Sequence, residues 1–170
     1  MNTTTQPVYS LTDDQIAFFQ REGYLIVRGL FAAEEVEALR RRFEDLAEDR
    51  DPAPPGKWDR DLSATDPLLR YPRVMHPHRW DPLSKRMLLH PRVGAVLAQL
   101  LQDEPIATQS MFYFKPPTSR GQALHQDNFY LQVEPQTCIA AWTAIDPATP
   151  ANGGLYVVPK TQDYNLVCPE

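Results

Sequence analysis

Apolar positions recur in two different rhythms along this chain. Up to about residue 101 they mostly return at helical intervals. Thr12 to Gln15 has the pattern of a capping box, Asp13 and Asp14 fall in a first turn, and Ile16, Phe18 and Phe19 follow. This predicts a helix over 13–22, ended by Gly23. Val36, Leu39, Phe43, Leu46 and Ala47 repeat between charges over 33–49, which predicts an amphipathic helix with one buried face. A third helix is predicted over 91–101, with Pro91 in its first turn and Val93, Val96, Leu97, Leu100 and Leu101 apolar. Between the first two, "YLIVRGL" (24–30) reads as a brief strand stopped by Gly29.

From Pro105 the rhythm changes to short strand-like runs. "IATQSMFYFK", "ALHQDNFYLQV", "TCIAAWTAI" and "GLYVVP" are separated by Pro, Gly, Ser and Asn. Helices first and strands second predict an α+β chain whose β part is a sandwich or barrel. Two linking stretches stand apart. Residues 49–61, "DRDPAPPGKWDRD", read as a surface loop. Residues 62–82 are irregular by their prolines yet carry Tyr71, Met75, Trp80, His76 and His78, as a loop packed over something would. The expected organisation is a helical region over 1–104, containing the loop 50–82, and the first part of a barrel over 105–170, together one domain.

Composition narrows the functional classes. The 170 residues carry a net charge of −5 and a sequence pI near 5.4, which argues against a general nucleic-acid binder. Arg40-Arg41-Arg42, the one basic cluster, lies among glutamates and aspartates at helical spacing and reads as a solvated face. Two cysteines, Cys138 and Cys168, make no disulfide framework. With no signal-peptide pattern at the start and no apolar run near the roughly 18 residues of a membrane span, a cytoplasmic protein without membrane partners is the expectation. Seventeen prolines suit strands and loops better than a helix bundle.

"GQALHQDNFYL" (121–131) carries the candidate chemistry. In a strand, residues i and i+2 share a face and lie about 6.6 Å apart, so His125 and Asp127 could converge with Gln126 on the other side. An imidazole and a carboxylate together can offer two adjacent positions to a divalent metal. Two histidines and one carboxylate are the set used by non-haem Fe(II) oxygenases. By spacing alone, a histidine hydrogen-bonded to a surface carboxylate is the favoured account of the pair. In the preceding strand-like run, Gln109, Met111, Tyr113 and Lys115 alternate with Ser110, Phe112 and Phe114. That mixed polar face suits a cavity wall or a half-exposed edge.

"QSMFYFKPP", "HQDNFY", "AAWTAID" and "NGGLYVVPKT", in this order and spacing, resemble the phytanoyl-CoA dioxygenase family of Fe(II)/2-oxoglutarate oxygenases. "FFQREGYLIVRGLF" is similar to the N-terminal part of that family, so the resemblance covers most of the chain. It implies a double-stranded β-helix (jelly roll) with N-terminal helices, His125 and Asp127 as Fe(II) ligands, and Gln109, Met111 and Trp142 beside 2-oxoglutarate. It implies hydroxylation of a small organic substrate by O2, with succinate and CO2 as coproducts. Related halogenases carry a small residue where Asp127 stands, so the carboxylate points to hydroxylation.

The chain also departs from the family pattern. A third ligand histidine and a carboxylate-binding arginine are expected downstream of the pair. The four histidines are 76, 78, 90 and 125, and no arginine follows Arg120. At "VVPKTQ", Gln162 stands where relatives commonly carry a histidine. A jelly roll needs about eight strands and four candidates follow Pro105. The expectation is the N-terminal portion of a longer oxygenase, inactive and poor at holding iron alone. Two alternatives are a non-catalytic truncated jelly-roll binding module and a jelly-roll metalloenzyme of another kind. His76-Pro77-His78 reads as polar loop residues or as substrate-facing groups. The pattern gives no oligomeric state.

Overall fold

The computed structural model describes residues 9–167. Cys168 and the first eight residues lie outside that range, so the expectations placed on them are not addressed structurally.

The helical half follows the apolar rhythm closely. Helix α1 spans Asp13–Glu22, with the Thr12 and Gln15 side chains and backbones exchanging both capping-box hydrogen bonds. Gly23 closes it at φ 79°, a left-handed conformation that costs glycine little. Helix α2, Ala33–Ala47, buries Leu39, Phe43 and Leu46, the stripe that the sequence periodicity marked.

Residues 62–82 hold more structure than their prolines suggested. Helix α3 is a single turn, Pro67–Arg70, capped by the Asp66 side chain. Strand β1 is Val74–Met75, and a 3-10 turn follows at Pro77–Arg79. Helix α4, Pro82–Leu88, starts from Asp81, whose carboxylate accepts from the Ser84 amide at 2.7 Å. In each helix a proline sits in the first turn, where its missing N–H costs nothing. Helix α5, Pro91–Leu101, begins at His90, whose Nδ1 accepts from the Arg92 amide at 3.2 Å. Histidine is an unusual cap, and here its Nε2 lies 3.0 Å from Glu35 Oε1 on α2.

Strand β2, Met111–Phe112, pairs antiparallel with β1 in the register Val74 to Phe112 and Met75 to Met111. The core sits between this pair and α2. Phe43 and Phe112 stack with centroids 3.6 Å apart, and Phe114 stands edge-on to both. Trp58 folds over Phe114 and donates from Nε1 to the Pro72 carbonyl at 2.9 Å. Arg60 donates to the Ala47 carbonyl, pairs with Asp49 and covers Trp58. The loop 49–61 is therefore fastened to the end of α2 and roofs the core.

Two expectations need correction. "YLIVRGL" forms no strand, since no neighbouring segment offers it a ladder among the described residues. The four strand-like runs after Pro105 yield one two-residue strand, and residues 127–131 form a short helix, α6 (Asp127–Leu131). Among the described residues the sheet has two strands, a mixed α and β architecture in which no barrel closes. A strand is a property of pairing. Residues 138–145 and 154–158 adopt no ladder, and Leu155, Tyr156, Val157 and Val158 stay exposed.

Candidate functional site

His125 and Asp127 do meet, but by a turn and not along a strand. Gln126 is the extended N-cap of α6 at φ −105°, ψ 121°, and Asp127 is the first helical residue. The chain bends between the two side chains and brings His125 Nε2 to 3.2 Å from Asp127 Oδ1. His125 Nδ1 is 2.8 Å from the Ala123 carbonyl. A carbonyl oxygen can only accept, so in the neutral ring the proton sits on Nδ1 and the Nε2 lone pair faces the carboxylate. A divalent cation placed between the two would meet one imidazole nitrogen and one carboxylate oxygen. A backbone carbonyl on the far ring nitrogen is the usual way a metal-binding imidazole is oriented.

Gln126 fixes this bend from behind. Its Nε2 donates to the Asn165 carbonyl at 3.2 Å, and its Oε1 accepts from the Val167 amide at 2.8 Å. The amide side chain thus ties the pair to 165–167.

A cavity of about 230 Å³ opens beside Asp127, lined by Asn128, Cys138, Gln162 and Tyr164 among others. Burial pushes the Cys138 thiol up from its ordinary range, and the Asp127 charge adds to the effect. Cys138 forms part of the wall beside Asp127. Among the described residues, no third histidine, cysteine or carboxylate joins His125 and Asp127 in a metal-holding group.

The other expected site residues lie elsewhere. Phe112 and Phe114 face the core, while Met111 and Tyr113 face away, the Tyr113 hydroxyl donating to Met111 Sδ at 3.4 Å. That alternation matches the sequence pattern. Trp142 is half exposed, and its neighbour Ile145 packs on the core. Gln109, Met111 and Trp142 do not line the cavity at Asp127.

The upstream histidines press against β2. The His76 amide donates to the Ser110 carbonyl at 2.8 Å, and His78 Nδ1 lies 2.6 Å from Ser110 Oγ. Burial holds the His78 pKa below its usual value, helped by His76 and nearby cations. His76 adopts φ 50°, ψ 44°, uncommon outside glycine. Sequence reasoning missed both the Cys138–Asp127 proximity and the Gln126 tie. Each joins segments far apart in sequence and leaves no periodic trace.

The family described as phytanoyl-CoA dioxygenase (PhyH) matches residues 19–168. "Phytanoyl-CoA dioxygenase 1" of Oryza sativa subsp. japonica is 30% identical, over 94% of this chain and 68% of that protein. "Phytanoyl-CoA dioxygenase" of Arabidopsis thaliana is 27% identical, over 93% and 67%. A "Probable phytanoyl-CoA dioxygenase" of Caenorhabditis elegans is 30% identical over 89% of this chain and 53% of its own. The chain thus spans about two thirds of its plant relatives. No solved structure matches it. No described helix is long and apolar enough to cross a membrane. With a family match running across nearly its whole length and dioxygenases as its relatives, this chain belongs to the phytanoyl-CoA dioxygenase (PhyH) family.

Proposed function

We propose that this chain supplies two protein ligands, His125 and Asp127, to the Fe(II) centre of a 2-oxoglutarate-dependent dioxygenase that hydroxylates a small organic substrate. The observation that carries this reading is the tautomer lock: Ala123 holds the His125 Nδ1 proton, and Nε2 looks at Asp127 Oδ1 across 3.2 Å. This donor set, one imidazole nitrogen and one carboxylate, fits two adjacent positions of an iron centre. The relatives' names, which specify dioxygenases, support the same reaction class.

Iron with 2-oxoglutarate supplies the oxygen activation that side chains cannot perform. The chain's own residues orient and shield. Ala123 fixes the imidazole, and Gln126 holds the bend between the ligands against 165–167. Gln109, Met111 and Trp142 are assigned to the cosubstrate by the family resemblance. His76 and His78 are candidates for the substrate side, because they lie against the strand that carries Met111. In this reading residues 106–115, 137–145 and 154–159, with the segment around α6, belong to a double-stranded β-helix. Their exposed apolar side chains, Ile106, Leu124, Leu155 and Val157 among them, fit surfaces made to be covered by further strands.

Anaerobic addition of Fe(II) and then 2-oxoglutarate tests the proposal. The expected result is a weak visible absorption band from iron chelated by the keto acid, lost in His125→Ala and Asp127→Ala. A band that persists in both variants, or never forms, overturns the ligand assignment.

A further inference from the structure

A second concavity lies away from the His125–Asp127 pair, between the turn 116–120 and the turn 149–154. Its volume is about 260 Å³, and it shares no lining residue with the cavity at Asp127. Lys115 enters it from the end of the β2 segment. The lysine stem is held against Gly153, where an added Cβ would lie 3.4 to 3.7 Å from Cγ, Cδ and Cε. Gly153 is at φ 92°, so a side chain there would be strained as well as close to the stem.

The ammonium group of Lys115 donates to the Arg120 carbonyl at 3.2 Å and forms no ion pair among the described residues. An ammonium has three donors, so two remain for a ligand. Thr118 and Ser119 line the same space, and neither hydroxyl has a protein partner among the described residues. Asn152 is spent on the wall itself, accepting from the Thr149 amide and donating to the Pro147 carbonyl. The guanidinium of Arg120 is directed to Asp66. No carboxylate lines the cavity, although the chain as a whole carries a net charge of −5. An unpaired cation, two free hydroxyls and an acid-free wall select for a compact oxyanion.

We propose that the Lys115–Ser119 cavity is an oxyanion-binding site, built for a phosphate group with Lys115 as its charge and Thr118 and Ser119 as its hydroxyl donors. The phosphate is either a free ion or the phosphomonoester end of a larger ligand, and the chemistry of recognition is common to both. The site stands independently of the iron assignment, because it uses none of the same residues.

Titration of the full chain with inorganic phosphate at constant ionic strength, followed by amide chemical shifts, tests this. Saturable shifts at residues 115–120 and 151–153 are expected. Lys115→Met, which keeps the stem over Gly153, should weaken binding about tenfold or more, as loss of a charge-assisted contact does. The Thr118→Ala/Ser119→Ala double variant should weaken it by a smaller factor with the lysine untouched, a second check if Lys115→Met fails to fold. A parallel titration with glycerol 3-phosphate separates the sources: tighter binding than inorganic phosphate assigns the site to a phosphomonoester, weaker binding to the free ion. Absence of saturation with both probes overturns the proposal. So does undiminished binding in a folded Lys115→Met or, where that variant does not fold, in the double variant.

Discussion

Gln162 lies directly on Gly23: a Cβ added to that glycine would sit 2.5 Å from Gln162 Oε1. The contact joins the end of α1 to the segment 160–162. Gln162 Nε2 donates to the Gln20 carbonyl at 3.0 Å, and the Lys160 amide donates to the Glu22 carbonyl at 2.9 Å. The sequence placed Gly23 as a helix terminator and Gln162 as a departure from a family histidine. Neither reading anticipated that the two meet.

Gly23→Ala is expected to lose about 1–2 kcal/mol, the cost of a left-handed alanine, with a further loss from displacing Gln162. Denaturant unfolding of Gly23→Ala and Gly23→Ala/Gln162→Ala separates the two. If the double variant is no more stable than the single, the steric part of this account is wrong.

Phe43 is buried in the core, stacked on Phe112 and edge-on to Phe114. Phe43→Ala should cost roughly 3–5 kcal/mol. Retention of a cooperative thermal transition near the parent value would contradict that placement.

Asp81 governs part of the acid response. Burial pushes its carboxyl up, but hydrogen bonds from Ser84 and Arg42 outweigh this and hold it below the usual aspartate value. Glu35 is likewise lowered, first by the Ala32 amide and, against a desolvation cost, by His90. A folded-state pKa below the unfolded one gives stability that is present above the unfolded value and lost as pH falls through the folded one. Stability should therefore decline below the ordinary carboxylate range. Asp81→Asn, which keeps a capping side chain, should lose on the order of 2 kcal/mol near neutrality and flatten that decline. A parallel pH profile for the variant would refute the assignment.

Cys138 reports on Asp127. Because burial and the carboxylate both disfavour the thiolate, alkylation of Cys138 near pH 8 should be slower than that of a free thiol. Asp127→Asn removes one of the two causes and should speed it. Peptide mapping of iodoacetamide-treated protein reads the rate, and an unchanged rate would place Asp127 too far from Cys138 to act on it.

On the proposed ligand assignment, Asp127→Ala should abolish hydroxylation and succinate formation while leaving the circular dichroism unchanged. Turnover by a folded Asp127→Ala protein would show that the carboxylate is not a ligand.

The sequence by itself determined α1, α2 and α5, because their signals are local. Capping residues, first-turn prolines and a 3.6-residue apolar stripe all lie within one or two turns of the bonds they specify, and α1, α2 and α5 begin where those signals lie. It also determined the facing of residues 111–114, since alternation decides which side chains share a face whether or not a ladder forms. Helix α4, the β1–β2 pairing and the anchoring of the loop 49–61 required the tertiary structure. So did the bend that brings His125 to Asp127, where α6 replaces the expected strand. These depend on partners tens of residues away, and a strand without a neighbour has no hydrogen bonds to define it.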